Sequence, residues 1–218
     1  MIIWLASGNR HKKEELSAIL NGHELRTCDT DGFDFNPDES GASFLENALI
    51  KARSLYNLLA GRGISAPVLA DDSGLCVDAL GGRPGIYSAR YGATGNGKTP
   101  DAAEKNALLL EEIGDTAERG ARFVCAMVLF WGEDRFYAAQ ETLKGEIVRN
   151  IHEARGGKGF GYDPILRIPE LTRTVAELSE DEKNRISHRG KAARAIAQLL
   201  REGVPGTDFV NPLFPAQK

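Results

Sequence analysis

The stretch "VLADDSGLCV", residues 68–77, places two carboxylates, Asp71 and Asp72, directly after an apolar run. That run, "PVLA", is short and rich in strand-forming residues, so it reads as a buried β-strand that finishes at the aspartates. Neighbouring like charges repel, and each resists losing its water, so a cation must stand close by, either a basic side chain or a metal ion. Side chains alternate along a strand, and one of the two carboxylates should therefore turn toward the apolar side.

Outward from this point, helices and strands alternate. Toward the N-terminus, "IIWLA" (2–6) is a second short buried strand, "SGN" punctuates it, and "RHKKEELSAILNG" carries Leu16, Ile19 and Leu20 at helical spacing with Gly22 as a stop. Residues 23–42 read as a polar, turn-rich excursion. "SFLENALIKARSLYNLLAGRG" (43–63) is the strongest helix, with Ser43 and Glu46 at capping-box spacing and Phe44, Ala48, Ala52, Leu55 and Leu59 on one face.

Toward the C-terminus, "GGRPGIYSARYGATGNGKTP" is a long loop with six glycines, and its Pro100 suits the first turn of a helix running to about Ile113. "ARFVCAMVLFW" and "RFYAAQETLKGEIV" read as adjacent strands, the second alternating as an antiparallel partner does. "GGKGFGYDPIL" is a glycine-rich loop entering another strand. Ser179 and Glu182 repeat the capping-box spacing, and a final helix from about His188 turns Ala192, Ala195, Ile196 and Leu199 inward. The pattern is that of a mixed-sheet α/β protein.

Composition narrows the function. The 218 residues suffice for a substantial core, and 42% hydrophobic with 27% charged residues is an ordinary globular balance. A net charge of −4 argues against an extended nucleic-acid-binding face, so a phosphate partner must meet a local basic cluster; a nucleotide fits better than a strand. Cys28, Cys76 and Cys125 make no CxxC pair, which points to a reducing compartment. The N-terminus has neither the length nor the charge order of a signal peptide or membrane span, and a cytoplasmic enzyme is expected.

Several segments place polar groups beside backbone that a ligand can approach closely. "SGNRHK" (7–12) joins a strand to a helix; its N–H groups and Lys12 suit a phosphate, while Ser7 or Asn9 equally suits a helix cap. "ATGNGK" (93–98) has no strand ahead of it and reads as a turn. Glu39, Asp71 and Asp72 are candidate oxygens for magnesium, which takes few carboxylates and keeps waters; Asp38 and Glu39 also fit a plain exposed loop. Phe160 and Tyr162 offer rings for base stacking or, alternatively, plugs for a core. Lys183, Arg185, His188, Arg189 and Lys191 form a basic cluster; on one continuous helix Lys183 and Arg189 would share a solvated face, while a break at Ser187-His188 would suit a site. The four histidines lack zinc spacing.

In this order, the segments "SGNRHK", "GASFLENALIKAR", "LADDSGLCVDALGGRPGIYSARY", "GGKGFGYDPIL" and "ELSEDEKNRISHRGKA" resemble the inosine triphosphate pyrophosphatase family from about Ile3 to Leu200. Ser7 stands where threonine is commoner. The resemblance implies an elongated mixed β-sheet flanked by helices, two lobes with a central cleft, a homodimer and dependence on Mg2+. It implies one two-lobed domain over residues 1–203, followed by an irregular tail, 204–218. Ser7, Gly8, Asn9, Arg10, His11 and Lys12 would hold the triphosphate, and Lys51 would reach it. Glu39 and Asp72 would bind the metal, with Asp72 as base; Asp71 would assist the metal. Ser73 would touch substrate; Phe160, Gly161, Tyr162 and Asp163 would line the purine site; Lys183, His188 and Arg189 would contact base or phosphates.

The activity implied is attack of water on the α-phosphorus of ITP, dITP or XTP, releasing pyrophosphate, with Lys12 stabilising the leaving group and magnesium answering the charge of the paired aspartates. A donor such as Arg189 aimed at the purine 6-oxo oxygen would disfavour adenine, whose 6-amino group is itself a donor. The competing expectations are a pyrophosphatase for modified pyrimidine nucleotides and a nucleotide-binding module without chemistry. A nucleic-acid binder fits the charge poorly.

Overall fold

The structure is a computed structural model that describes residues 1–94, 99–155 and 161–203. Seven strands form one mixed sheet in the order β2-β1-β3-β4-β5-β6-β7. The first half runs β1 (Ile2–Leu5), α1 (Arg10–Ile19), β2 (Glu24–Thr27), α2 (Phe44–Ala60) and β3 (Val68–Val77). β1 pairs in parallel with β2, Ile2 opposite Glu24, and with β3, Leu5 opposite Leu69. Parallel neighbours need crossovers, and α1 and α2 supply them.

The second half runs α3 (Ala102–Ile113), β4 (Gly120–Gly132), β5 (Arg135–Ile147), β6 (Leu166–Ile168), β7 (Arg173–Thr174), α4 (Glu180–Ile186) and α5 (His188–Glu202). β5 pairs antiparallel with β6, and β6 with β7. β4 and β5 are sheet neighbours separated only by Glu133 and Asp134, a link too short for a parallel crossover.

The chain divides into two compact units. One comprises Met1–Asp72, Cys125–Glu141 and the described residues from Arg189; the other comprises Ser73–Val124 and Thr142–His188. The first unit has a core on each face of its strands. Ile3, Leu5, Leu69, Cys125, Met127 and Leu129 pack with Leu16 and Leu20 of the α1 segment and with Ala192, Ala193, Ile196 and Leu200 of α5. Trp4, Ala6, Val68, Ala70, Val128 and Phe130 pack with Ala48, Ala52, Leu55 and Leu59 of α2. The odd and even members of each strand thus serve opposite helices, as the two-residue period demands. The second unit has its own core, built on Leu75, Val77, Leu109, Phe123, Ile147, Tyr162, Ile165 and Leu166.

Three expectations are corrected. Residues 24–27 form β2, hidden in the polar excursion because only Leu25 and Thr27 are buried in it. β3 does not stop at the aspartates but continues five residues past Asp72 to Val77. α3 begins at Ala102, because Asp101 and Glu104 make a reciprocal capping box and leave Pro100 ahead of the cap. The break expected at Ser187-His188 is present: Ser187 takes an extended conformation (ψ 154°) and ends α4, so Lys183 and Arg189 lie on different helices. The tail 204–218 and most of the "ATGNGK" turn lie outside the described residues.

Candidate active site

Strand parity decides the fate of the paired aspartates. Asp71 continues the odd series of Leu69 and turns toward α1 and α5; Asp72 continues the even series of Val68 and Ala70 and turns toward α2. Both are buried. Asp71 Oδ2 meets Lys12 Nζ at 2.9 Å and Arg189 Nε at 3.4 Å. The other end of that guanidinium donates to Glu15 Oε2 at 2.5 Å. Asp72 Oδ1 accepts from Lys51 Nζ at 2.9 Å, and its Oδ2 from Asn47 Nδ2 at 3.2 Å. The same Lys51 ammonium lies 3.4 Å from Glu39 Oε1. The cations demanded by the adjacent charges are therefore, first of all, basic side chains.

The two aspartates titrate in opposite directions. Burial alone would raise the Asp71 pKa, but Lys12, Arg189 and Lys51 outweigh it and hold the carboxyl well below its ordinary value. For Asp72 burial wins over the pull of Lys51 and the hydrogen bonds from Lys51 and Asn47, and the pKa is raised. Burial opposes the charge on Lys51 as well, yet Asp72, Asp71 and Glu39 together push its pKa up. A buried carboxylate with a raised pKa beside a more strongly acidic one is the arrangement that separates a proton acceptor from a fixed counter-charge.

The strand-to-helix loop before α1 is a cap. Asn9 Oδ1 accepts from the Lys12 N–H at 3.2 Å, and Ser7 Oγ accepts from the Asn9 N–H at 3.1 Å. Gly8 lies against Asp29, where an added Cβ would come within 3.4 Å of its carboxylate. Arg10 and His11 are exposed and both approach Glu14. Of these six residues, Lys12 reaches the aspartates, at Asp71.

Most of the other expected residues have contacts of their own. Tyr162 is buried in the core of the second unit, with its hydroxyl donating to the Ser88 carbonyl at 3.0 Å, so its ring is a core plug and not an open stacking platform. Asp163 is buried and pairs with Lys183 at 2.9 Å. His188 stacks on Phe123 with ring centroids 4.9 Å apart. Gly161 accepts from Asn106 through its carbonyl, and Ser73 is half-buried on β3. Phe160 lies outside the described residues. Arg189 departs most from expectation: its side chain is 6% exposed and committed to two carboxylates, so it is not a donor held ready for a base.

Sequence reasoning missed Glu15 and Asn47. The available signal for Asn47 was its spacing: with Lys51 it puts two polar residues four apart within the apolar stripe of α2, where a polar side chain needs a partner.

The residues present suit a hard divalent cation. Glu39 and Asp72 converge on one ammonium, which marks a position where a positive charge is held between two oxygen donors. Among the described residues no group of three or more His, Cys, Asp or Glu is arranged to hold a metal. Magnesium needs only one or two carboxylates, with substrate phosphates and water completing its shell. The linked ion pairs hold four carboxylates (Glu15, Glu39, Asp71, Asp72) against three cations (Lys12, Lys51, Arg189).

The Ham1 family model matches residues 3–199. The dITP/XTP pyrophosphatase of Treponema denticola is 45% identical over 201 residues, covering 92% of this chain and 99% of that protein. The protein of the same name from Pseudomonas aeruginosa is 47% identical over 201 residues, covering 90% and 95%. Among solved structures, a HAM1 protein from Coxiella burnetii superposes with a TM-score of 0.81 at 37% identity, covering 93% of this chain and all of that one.

Proposed function

This chain belongs to the Ham1 family, and from that premise we infer that it is a nucleoside triphosphate pyrophosphatase. It hydrolyses non-standard purine nucleoside triphosphates to the monophosphate and pyrophosphate. The single observation that carries this reading is the near-half identity, over nine-tenths of the chain, to proteins named for that reaction. The site supports it by offering a buried acceptor, Asp72, next to lysines that suit phosphate.

In the reaction proposed, a water oxygen bonds to the α-phosphorus and the bond from that phosphorus to the bridging oxygen breaks, releasing pyrophosphate. Asp72, buried beside the phosphate-facing lysines Lys12 and Lys51, takes the water's proton. Glu39 and Asp72 would hold Mg2+, which when bound neutralises phosphate charge and acidifies the attacking water. Lys12, at the first turn of α1, answers the charge that develops on the leaving pyrophosphate, with the Ser7–Lys12 backbone beside it. Lys51, placed between the two carboxylates, would reach the same phosphates. Ser73, Gly161, Asp163, Lys183 and His188, with Phe160, are assigned to substrate contacts. Arg189 serves as counter-charge to Asp71.

We read residues 1–203 as one catalytic domain acting as a cytoplasmic homodimer. No described helix is long and apolar enough to cross a membrane.

The decisive experiment measures pyrophosphate release from ITP, dITP, XTP, dUTP and the four standard ribonucleoside triphosphates, with Mg2+ and with EDTA. The expected result is release from the inosine and xanthine substrates far above the others, stopped by EDTA, with oxygen-18 from water in the monophosphate. Orthophosphate as product would overturn α-phosphorus attack. A preference for dUTP would favour the pyrimidine reading.

A further inference from the structure

We propose that Asn47 is the positioning residue that sets Glu39 against Asp72, an inference that rests on the pyrophosphatase reading. Its side chain is completely buried and makes two hydrogen bonds in opposite directions. Oδ1 accepts from the Gly41 N–H at 2.9 Å, and Nδ2 donates to Asp72 Oδ2 at 3.2 Å. One carboxamide thus ties the loop that carries Glu39 to the strand that carries Asp72.

The chemistry leaves little choice of residue. The carboxamide presents an acceptor to a backbone N–H and a donor to a carboxylate from two separate atoms at the end of a short stem. Aspartate would keep the Gly41 bond but set a second carboxylate against Asp72. Leucine would keep the branched skeleton with bulkier methyl ends and lose both bonds.

The loop is built around this contact. A Cβ on Gly41 would stand 2.7 Å from Asn47 Oδ1, 2.7 Å from Glu46 Cβ and 2.9 Å from the Asn47 nitrogen, so only glycine lets the backbone approach. The Ala42 N–H donates to Glu46 Oε2 at 2.6 Å, and Ser43 Oγ accepts from the Glu46 N–H. Glu46, Asn47 and Lys51 all belong to α2, so one rigid helix fixes the loop, orients one carboxylate and places the ammonium that both carboxylates share. Misplacing a reacting group by about 1 Å can cost about 10²-fold in rate.

The test compares the full-length protein with Asn47→Leu, Asn47→Asp and Gly41→Ala. Each is assayed for folding by thermal melt, for kcat and KM on the substrate the wild type prefers, and for binding of Mn2+ alone through loss of the free-ion EPR signal. The expected result is a loss of kcat of about 10²-fold in all three, with KM much less affected and Mn2+ bound at least several-fold more weakly. Gly41→Ala leaves Asn47 itself intact, so its agreement with Asn47→Leu separates placement of the loop from loss of the side chain. Folded Asn47→Leu with kcat and Mn2+ affinity unchanged overturns the inference. So does Asn47→Asp with unchanged values, which would reduce Asn47 to an anchor for Gly41, and so does unfolding of every variant, which would make the residue purely structural. A wild type that releases no pyrophosphate from any nucleotide instead overturns the pyrophosphatase reading first.

Discussion

Asp71 and Asp72 differ by one position, and that single step sends them to opposite faces of the strand, one toward α1 and α5, the other toward α2. Their roles separate for the same reason. Asp71, fully buried with Lys12 and Arg189, is held ionised; Asp72, held by Lys51 and Asn47, has its pKa raised by burial. Arg189 matters here through what its removal leaves behind. Arg189→Met strips a counter-charge from two carboxylates at once, and breaking a buried pair from one side costs about 3–5 kcal/mol. Urea denaturation should register that loss, and adding Asp71→Asn should return part of it; a variant as stable as the wild type would remove Arg189 from the scaffold. Asp71 and Asp72 were legible as a site in the sequence, but Glu15 was not. Nothing in "KKEEL" distinguishes the glutamate that turns inward from the one that faces Arg10.

Helix ends were the most readable elements. Ser43 and Ser179 each cap a helix through the N–H three residues on, a local interaction that needs no tertiary partner, whereas sequence reasoning favoured Pro100 over the Asp101 cap. The box before α4 also yields a pH prediction. Glu182 accepts from Arg173 Nη2 at 2.7 Å and from the Ser179 N–H at 2.9 Å. The Arg173 hydrogen bond first, and the Ser179 backbone second, lower its pKa from 4.5 to about 2. An acid whose folded pKa is depressed contributes stability above its unfolded value and loses it as pH falls through the folded one. The melting temperature of Glu182→Gln should therefore lie slightly below wild type at pH 7, with the gap closing below pH 4.5 and gone near pH 2. A gap that stays constant with pH would show that the charge is not involved. Elements that depend on partners were harder to read. β2 has only two buried residues, and the extension of β3 past Asp72 runs through a pair of charges that no propensity argument favours in a strand.

At the scale of the whole molecule, the core of the first unit ends at Leu200 and the family match at residue 199. A chain ending at Gly203 should therefore keep its melting temperature within about 2 °C and its pyrophosphate release, as scanning calorimetry and the nucleotide panel would show. A large loss of either would extend the catalytic domain into the last fifteen residues. Sedimentation of both lengths tests the proposed homodimer in the same samples.

By itself the sequence determined the alternation of helices and strands, the caps, the inward faces of the long helices and the segments where chemistry gathers. These follow from periods of two and 3.6 residues and from contacts within one turn of chain. Only the tertiary structure decided which cation answers which carboxylate: Lys12 and Arg189 for Asp71, Lys51 for Asp72 and Glu39. Those partners stand 21 to 118 positions apart in the Asp72–Lys51 and Asp71–Arg189 hydrogen bonds, and a charge carries no mark of its partner along the chain. Burial raises the strength of such pairs and the penalty for leaving one unmade, and burial exists only once the sheet has brought its helices together.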